Sequence, residues 1–178
     1  MLLAGAGYQL AVFKIIKDRD MKNRKIVIID EDKKFLGELE EVLTASGYSP
    51  VVVNDAFSAV DIVVQRKPDV ILLELKMSSK NGFELANEMT RVFETQRIPI
   101  IAMASFLKDE SFPLMNLCGI KRYLKKPFHP LDVISAIEDV IQGSRQLEER
   151  VEERRRYGYP NEVENVYTIK KEELCSRN

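Results

Sequence analysis

The chain has 178 residues, of which 45 % are hydrophobic and 31 % are charged, with a net charge of −1. This length and composition fit one globular domain with appendages. The near-neutral charge excludes an overall electrostatic attraction to nucleic acid or to an anionic membrane. No apolar run approaches the ~20 residues that a membrane-spanning helix requires. Cys118 and Cys175 lie far apart without metal-ligand spacing, so we expect reduced thiols in a cytoplasmic protein.

Residues 1–22 are interpreted as an N-terminal extension that does not belong to the core. An apolar stretch, 1–13, is followed by a charged one, 14–20, without the basic start or the cleavage site of a signal peptide. Met21 lies just before the first predicted strand and would serve as an alternative start. A weak amphipathic contact with a membrane is the second interpretation.

From Lys25 onward, short apolar runs alternate with amphipathic stretches. The apolar runs predict five strands, at 25–29, 51–53, 70–75, 98–103 and 123–124. The amphipathic stretches predict five helices, at 33–46, 56–65, 82–93, 107–117 and 131–141. Such alternation predicts an α/β fold with a doubly wound, parallel five-stranded sheet covered on both faces, because parallel strands need crossover connections. We assign this domain to residues 23–143.

The remaining residues, 144–178, are predicted to form a charged helical extension and a tail. Glu152 and Arg156 are spaced to form an i,i+4 ion pair. Leu147 and Val151 offer a short apolar seam, which is too little for a coiled coil. A solvated helix is therefore expected, and pairing of two chains into a homodimer or scaffold is the alternative.

Charged side chains follow three of the predicted strands. Asp30 and Glu31 come after the first strand, Glu74 ends the third, and Lys126 follows the fifth. Ligands of open parallel sheets bind at the carboxyl ends of the strands, so we expect these groups to lie together. Clustered carboxylates with open positions suit Mg²⁺, which makes weak Mg²⁺ binding a possibility.

These residues resemble the pattern of a response-regulator receiver domain, the phosphorylatable switch of two-component signalling, over about residues 25–142. The resemblance implies a flavodoxin-like fold and gives a role to each matched position. The matched positions are the acidic pair Asp30-Glu31, the phosphoacceptor position Glu74, Gly82, the hydroxyl position Ala104, the aromatic switch position Tyr123, and the signature Lys126-Pro127-Phe128, whose Lys-Pro bond is usually cis in this family.

Two of the matched positions depart from the family pattern. Glu74 replaces the usual aspartate, and its carboxylate lies about one C–C bond, ~1.5 Å, further out. Ala104 replaces a serine or threonine, so it has no hydroxyl to hold a phosphoryl oxygen and signal to Tyr123. Ser105 is adjacent, but neighbouring strand residues face opposite sides. We interpret the domain as a pseudo-receiver in which Glu74 forms an ion pair with Lys126.

The resemblance implies a non-enzymatic protein of two-component phosphorelay signalling that binds a protein partner, a histidine kinase or a downstream effector, without binding nucleic acid directly. A working phosphoacceptor that uses Glu74 or a neighbouring acid is the alternative. The resemblance also places the output face on the fourth helix, fifth strand and fifth helix, including Phe112, Met115, Asn116, Tyr123 and 132–139. For Phe112 and Met115, core packing at helical spacing is the preferred interpretation. His129 is expected near a helix N-terminus rather than in catalysis.

Overall fold

The computed structural model describes residues 23–107 and 111–156 of the chain. The strands are β1 Lys25–Ile29, β2 Ser49–Val53, β3 Val70–Glu74, β4 Ile100–Ala104 and β5 Ile120–Lys125. The helices are α1 Lys33–Ala45, α2 Ala59–Arg66, α3 Gly82–Arg91, α4 Phe112–Leu117 and α5 Pro130–Arg156. Strands and helices alternate throughout, as the sequence predicts.

The five strands of the described residues form one parallel sheet in the order β2-β1-β3-β4-β5. The chain moves outward in one direction from β1 to β2, and then in the other from β3 to β5. This order makes the β1–β3 pair the point at which the winding reverses. This strand order confirms the doubly wound, flavodoxin-like fold. In such a fold the binding cleft lies beyond the carboxyl ends of the strands at the reversal, here β1 and β3.

Two hydrophobic clusters cover the two faces of the sheet. One joins Ile26 and Ile28 of β1 to apolar side chains of α1 and α5. The other joins Val27 and Ile29 to α2, α3 and α4. Successive strand residues point to opposite faces, so a strand buried on both faces is apolar at every position. β3 illustrates this at its first four residues, which are buried and apolar, whereas the fifth buried residue is the charged Glu74.

Two helices begin or end at residues other than those predicted from the apolar periodicity. The helix predicted at 56–65 begins only at Ala59, because the Asp55 carboxylate accepts hydrogen bonds from the backbone N–H groups of Phe57 and Ser58 and holds a turn there. The helix predicted at 82–93 ends at Arg91, and Phe93, the last residue of the predicted helix, is 82 % exposed.

The last helix is longer than predicted. The sequence indicates a helix at 131–141 and a separate helical stretch at 144–156, but α5 continues unbroken from Pro130 to Arg156. A single glycine such as Gly143 costs a helix about 1 kcal/mol relative to alanine, which does not suffice to end it. The chain forms two units that divide after Ile141. The first contains the sheet, and the second contains the end of α5.

Residues 1–22 and 157–178, which include the predicted N-terminal extension and the end of the charged tail, lie outside the described residues. Within the described ranges, no helix has the length and apolar character that crossing a membrane demands.

Candidate functional site

The sheet delivers three charged side chains to one point. Asp30 follows β1, Glu74 ends β3 and Lys126 follows β5. Backbone hydrogen bonds fix two of them, because the Asp30 N–H donates to the Val53 carbonyl (3.1 Å) and the Lys126 N–H donates to the Ala104 carbonyl (2.9 Å). The strand ends thus aim all three side chains into the cleft at the β1–β3 reversal.

Lys126 forms ion pairs with both acids. Its Nζ lies 2.6 Å from Oε2 of Glu74 and also contacts Oδ2 of Asp30. The side chains are 14 % exposed for Lys126, 8 % for Glu74 and 4 % for Asp30, so water competes little for these contacts. The expected Glu74–Lys126 ion pair is present, and Asp30 extends it to a triad.

The second oxygen of each carboxylate is also engaged. Oε1 of Glu74 accepts a hydrogen bond from the Lys76 N–H (2.8 Å), and Oδ1 of Asp30 accepts one from the Asp32 N–H (2.9 Å). Each acid therefore has one oxygen on Lys126 and one on the backbone two residues further along. Hydrogen bonds to charged groups are the stronger ones, so both carboxylates are held in a single orientation.

Glu31 forms its hydrogen bonds with two serines of a loop. Its Oε2 accepts hydrogen bonds from the N–H and the hydroxyl of Ser78 at 2.7 and 2.6 Å, and its Oε1 accepts from the same two groups of Ser79 at 2.8 and 2.5 Å. These hydrogen bonds lower the pKa of Glu31 from 4.5 to about 2. The members of the acidic pair Asp30-Glu31 therefore have different partners: Asp30 contacts Lys126, and Glu31 holds the β3–α3 loop, residues 75–81.

Gly82, at the end of that loop, allows a close approach to Glu74. Its N–H donates to the Leu75 carbonyl (3.1 Å). A Cβ at this position would lie 2.5 Å from the Glu74 carbonyl oxygen and 2.6 Å from the Leu75 Cα. A glycine is therefore required here by space.

Phe35 lies in the site, although the sequence predicts it only as a residue of the helix at 33–46. Its ring centroid lies 3.8 Å from the Nζ of Lys126, within the range of a cation–π interaction. The edge-to-face contact with Phe128, at 5.8 Å between centroids, holds the ring. The only signal in the sequence is an aromatic residue soon after the acidic pair, which helical periodicity explains equally well.

Position 104 contributes its backbone in place of a hydroxyl. Ala104 is fully buried at the end of β4, and its carbonyl accepts hydrogen bonds from the Lys126 N–H and from the Tyr123 hydroxyl (3.2 Å). Burial, and then the nearby Glu74 charge, raise the pKa of Tyr123. Ser105 lies beyond β4 and is exposed. Tyr123 is thereby held against β4.

The turn after Lys126 has the expected features. The Lys126-Pro127 peptide bond is cis. His129 lies just before α5, where its Nδ1 accepts from the Leu131 N–H (3.2 Å) and its own N–H donates to the Asp132 carboxylate (3.0 Å). This confirms that His129 belongs to a helix N-terminus.

The carboxylates of the cleft are the groups that could bind Mg²⁺. Asp30 and Glu74 supply hard carboxylate oxygens of the kind that Mg²⁺ prefers. In this arrangement, however, the oxygens that face the cleft are paired with Lys126, and Glu31 is engaged by the two serines. Within 23–107 and 111–156, no three histidine, cysteine or acidic side chains are grouped as a metal site would require. The residues as arranged do not fit a magnesium ion.

Solved structures similar to this chain include receiver domains. A two-component response regulator from Clostridium difficile shares 28 % identity, with a TM-score of 0.60, over 67 % of this chain and 96 % of its own. A CheY-like receiver domain protein from Methanospirillum hungatei shares 18 %, with a TM-score of 0.65, over 70 % of this chain and 98 % of its own.

A third similar structure contains a metal. It is the receiver domain of a sensor histidine kinase from Pseudomonas aeruginosa, with a magnesium ion coordinated in its active-site cleft; it shares 22 % identity, with a TM-score of 0.62, over 67 % of this chain and 98 % of its own. The family model of the response regulator receiver domain matches residues 26–138. The chain therefore belongs to the response regulator receiver domain family, the receiver modules of two-component signalling.

Proposed function

We propose that this receiver acts in two-component signalling as a non-enzymatic module that binds a protein partner, and that binding does not depend on phosphorylation. The observation that carries the proposal is the triad in which Lys126 pairs with both Asp30 and Glu74. A phosphoacceptor must present a free carboxylate oxygen to the phosphodonor, whereas both oxygens of Glu74 are engaged.

The chemistry of phosphoryl transfer also disfavours Glu74. In-line transfer depends on the position of the attacking oxygen and on neutralisation of charge around the phosphoryl group. The glutamate oxygen lies about one C–C bond, ~1.5 Å, beyond the place of an aspartate oxygen. A displacement of this size costs on the order of 10²-fold in rate.

Ala104 removes the group that would detect a phosphoryl oxygen. The methyl side chain cannot donate a hydrogen bond, and the carbonyl of Ala104 already accepts from Tyr123 and Lys126. The aromatic switch residue thus has a partner without any modification of Glu74. This supports a surface that is held in one conformation.

The receiver domain of the Pseudomonas kinase holds a magnesium ion in its active-site cleft. In this chain a magnesium ion has to displace the Lys126 ammonium from two carboxylates. We therefore propose that Mg²⁺ binding is weak and unnecessary for the function.

The partner is proposed to bind on the face formed by α4, β5 and α5, and to be a histidine kinase or a downstream effector. Met115, one of the residues assigned to that face, is buried in the core, and the side chain of Phe112 lies outside the described residues. Leu114 and Leu117 supply exposed apolar surface instead, Leu117 being 78 % exposed.

Phosphodonor treatment tests the mechanism directly. The wild-type protein, Glu74→Gln and the double variant Glu74→Asp/Ala104→Thr are incubated with acetyl phosphate and Mg²⁺, and their intact masses are measured. We expect no adduct on the wild type. The double variant, which restores both family residues, is the positive control.

A labile phosphoryl adduct on the wild type that is absent from Glu74→Gln would overturn the proposal and establish Glu74 as a working phosphoacceptor. An adduct on both proteins would instead identify a neighbouring acid. Partner binding is tested by pull-down from the host cell. The same partner should be retained by the wild type with and without phosphodonor, and retention by the double variant should depend on phosphodonor.

For the rest of the chain, we propose a receiver domain at 23–143 with an extension at 1–22 and a charged helical extension and tail at 144–178. Leu147 is 60 % exposed on α5, which leaves a homodimeric or scaffolding role of this helix as a second candidate. Light scattering of the full chain and of Leu147→Lys tests it. Equal masses equivalent to one chain would exclude assembly through this residue.

A further inference from the structure

We propose that Phe35 is a positioning residue that completes a cage around the Lys126 ammonium, and that this ammonium is the resident cation of the cleft in place of a divalent metal. The cage consists of Asp30, Glu74 and Phe35. This inference deepens the proposed function and rests on it, because an ammonium fixed in the cleft occupies the carboxylates that Mg²⁺-dependent phosphorylation would use.

Three groups lie against the ammonium, as many as it has N–H donors. A lysine ammonium has three N–H donors and no acceptor. Two carboxylates, those of Asp30 and Glu74, and the face of the Phe35 ring lie against it. The cation is thus surrounded by two negative charges and by the negative face of an aromatic ring. All three surroundings favour a positive charge at this point.

Two contacts fix the position of Phe35. Asp32 caps the N-terminus of α1, and its Oδ1 accepts hydrogen bonds from the N–H groups of Lys34 (3.0 Å) and Phe35 (3.1 Å). The Phe128 ring packs edge-on against the Phe35 ring at an interplanar angle of 81°. The backbone of Phe35 is fixed by the cap and its ring by Phe128, so the ring is held over the ammonium.

The third acid near the cleft, Glu31, is engaged by other groups. Glu31 accepts four hydrogen bonds from Ser78 and Ser79, and these bonds would have to break before it could serve as a ligand of a metal. The cleft therefore keeps two carboxylates for one ammonium. A divalent ion must displace Lys126 to reach them, and the strength of the cage sets how difficult this displacement is.

Removal of the Phe35 ring should therefore make the cleft bind Mg²⁺ more tightly. The titration compares the full-length wild type, Phe35→Leu and Phe35→Tyr, with the amide resonances of Glu74 and Lys76 followed by NMR as MgCl₂ is added, and with NaCl as the control for ionic strength. We expect Phe35→Leu to lower the Mg²⁺ dissociation constant by on the order of tenfold, the loss of one partly desolvated cation–π contact. Phe35→Tyr keeps an aromatic face and should behave as the wild type.

A second readout reports the cage without any metal. Ring currents shift the Hε protons of Lys126 upfield when the ammonium lies over an aromatic ring. This shift should be present in the wild type and in Phe35→Tyr and absent from Phe35→Leu. Phe57→Leu is the matched control, because Phe57 is a 70 % exposed phenylalanine, and it should change neither readout.

The outcomes separate the cage from the proposed function. Unchanged Mg²⁺ affinity in Phe35→Leu, or a wild type without the Hε shift, would overturn the cage even if the phosphodonor experiment leaves the protein unmodified. If Mg²⁺ binds the wild type and the Hε shift of Lys126 remains, the ion does not displace the ammonium, and the role of Lys126 as the resident cation would be overturned. Conversely, a phosphoryl adduct on the wild type would defeat the proposed function, whereas the ring-current result would still report whether Phe35 holds Lys126.

Discussion

The Oε2 atom of Glu74 lies 2.6 Å from the Nζ atom of Lys126, and both side chains are largely shielded from water. Asp30 contacts the same ammonium. One positive charge thus serves two carboxylates that come from neighbouring strands, β1 and β3. The three groups together carry a net charge of −1. Four properties of this cleft and of the loop beside it can be measured.

Lys126→Gln should strongly destabilise the domain. Removal of the ammonium leaves two buried carboxylates without compensation, and breaking a buried ion pair in this way costs about 3–5 kcal/mol in the free energy of unfolding. Urea denaturation gives the value. Lys125→Gln, at the neighbouring exposed lysine, is the control and should lie within about 0.5 kcal/mol of the wild type.

A second substitution should partly restore the stability that Lys126→Gln loses. Adding Glu74→Gln to Lys126→Gln removes one of the uncompensated charges, so the double variant should be more stable than Lys126→Gln alone. If the two single changes simply add, the residues do not interact, and the ion pair does not control the cleft.

Gly82→Ala should be destabilising, by about 1–3 kcal/mol, because the new methyl group has to push aside the backbone of Glu74 and Leu75. Gly37→Ala is the matched control. A Cβ at Gly37 in α1 meets nothing within 4 Å, and alanine is favoured over glycine in a helix by about 1 kcal/mol. Thermal or urea unfolding should therefore give changes of opposite sign. A stabilised Gly82→Ala would show that the loop does not approach the strand so closely.

Glu31 should release the β3–α3 loop only in strong acid. Its hydrogen bonds to Ser78 and Ser79 lower its pKa from 4.5 to about 2. Because the folded-state pKa is the lower one, the contribution of Glu31 to stability is complete above about pH 4.5 and is lost as the pH falls towards 2. The carboxyl carbon of Glu31, followed by NMR against pH, reports this titration.

The matched variant for this titration is Ser78→Ala/Ser79→Ala. It removes both hydroxyl donors, which are the largest causes of the shift, so the pKa of Glu31 should rise towards its ordinary value. An unchanged pKa in the double variant would mean that the hydroxyl groups do not bind this carboxylate.

The hydroxyl of Tyr123 should lose its proton at a higher pH than that of an ordinary tyrosine. Burial raises the pKa of Tyr123, and the negative charge of Glu74 raises it further. Glu74→Gln should therefore lower the pKa of Tyr123 without restoring it fully, because the burial remains. The ζ-carbon resonance of Tyr123 measures this as the pH rises. No change in Glu74→Gln would place the Glu74 charge too far away to act on the switch residue.

Much of the fold follows from local patterns. The apolar runs of β1 and β3 and the helical spacing of α1 and α3 predict a covered parallel sheet, and Asp30, Glu74 and Lys126 each follow or end a run that is recognisable by itself. The ends of the elements were predicted less well. Phe93 continues an apolar periodicity but is exposed, because the chain leaves the helix at Val92, which has an extended backbone conformation.

The sequence by itself determined which charges stand at the strand ends, because an apolar run, its length and the acid after it are all local properties. It also determined that position 104 has no hydroxyl. Only the tertiary structure decided which group each charge serves. Asp30 and Glu31 are adjacent in sequence, yet Asp30 turns to Lys126, 96 positions away along the chain, whereas Glu31 turns to Ser78 and Ser79. The ring of Phe35 reaches the ammonium only because α1 packs beside the β5–α5 turn. Such partnerships depend on distances between strands, and no local pattern encodes them.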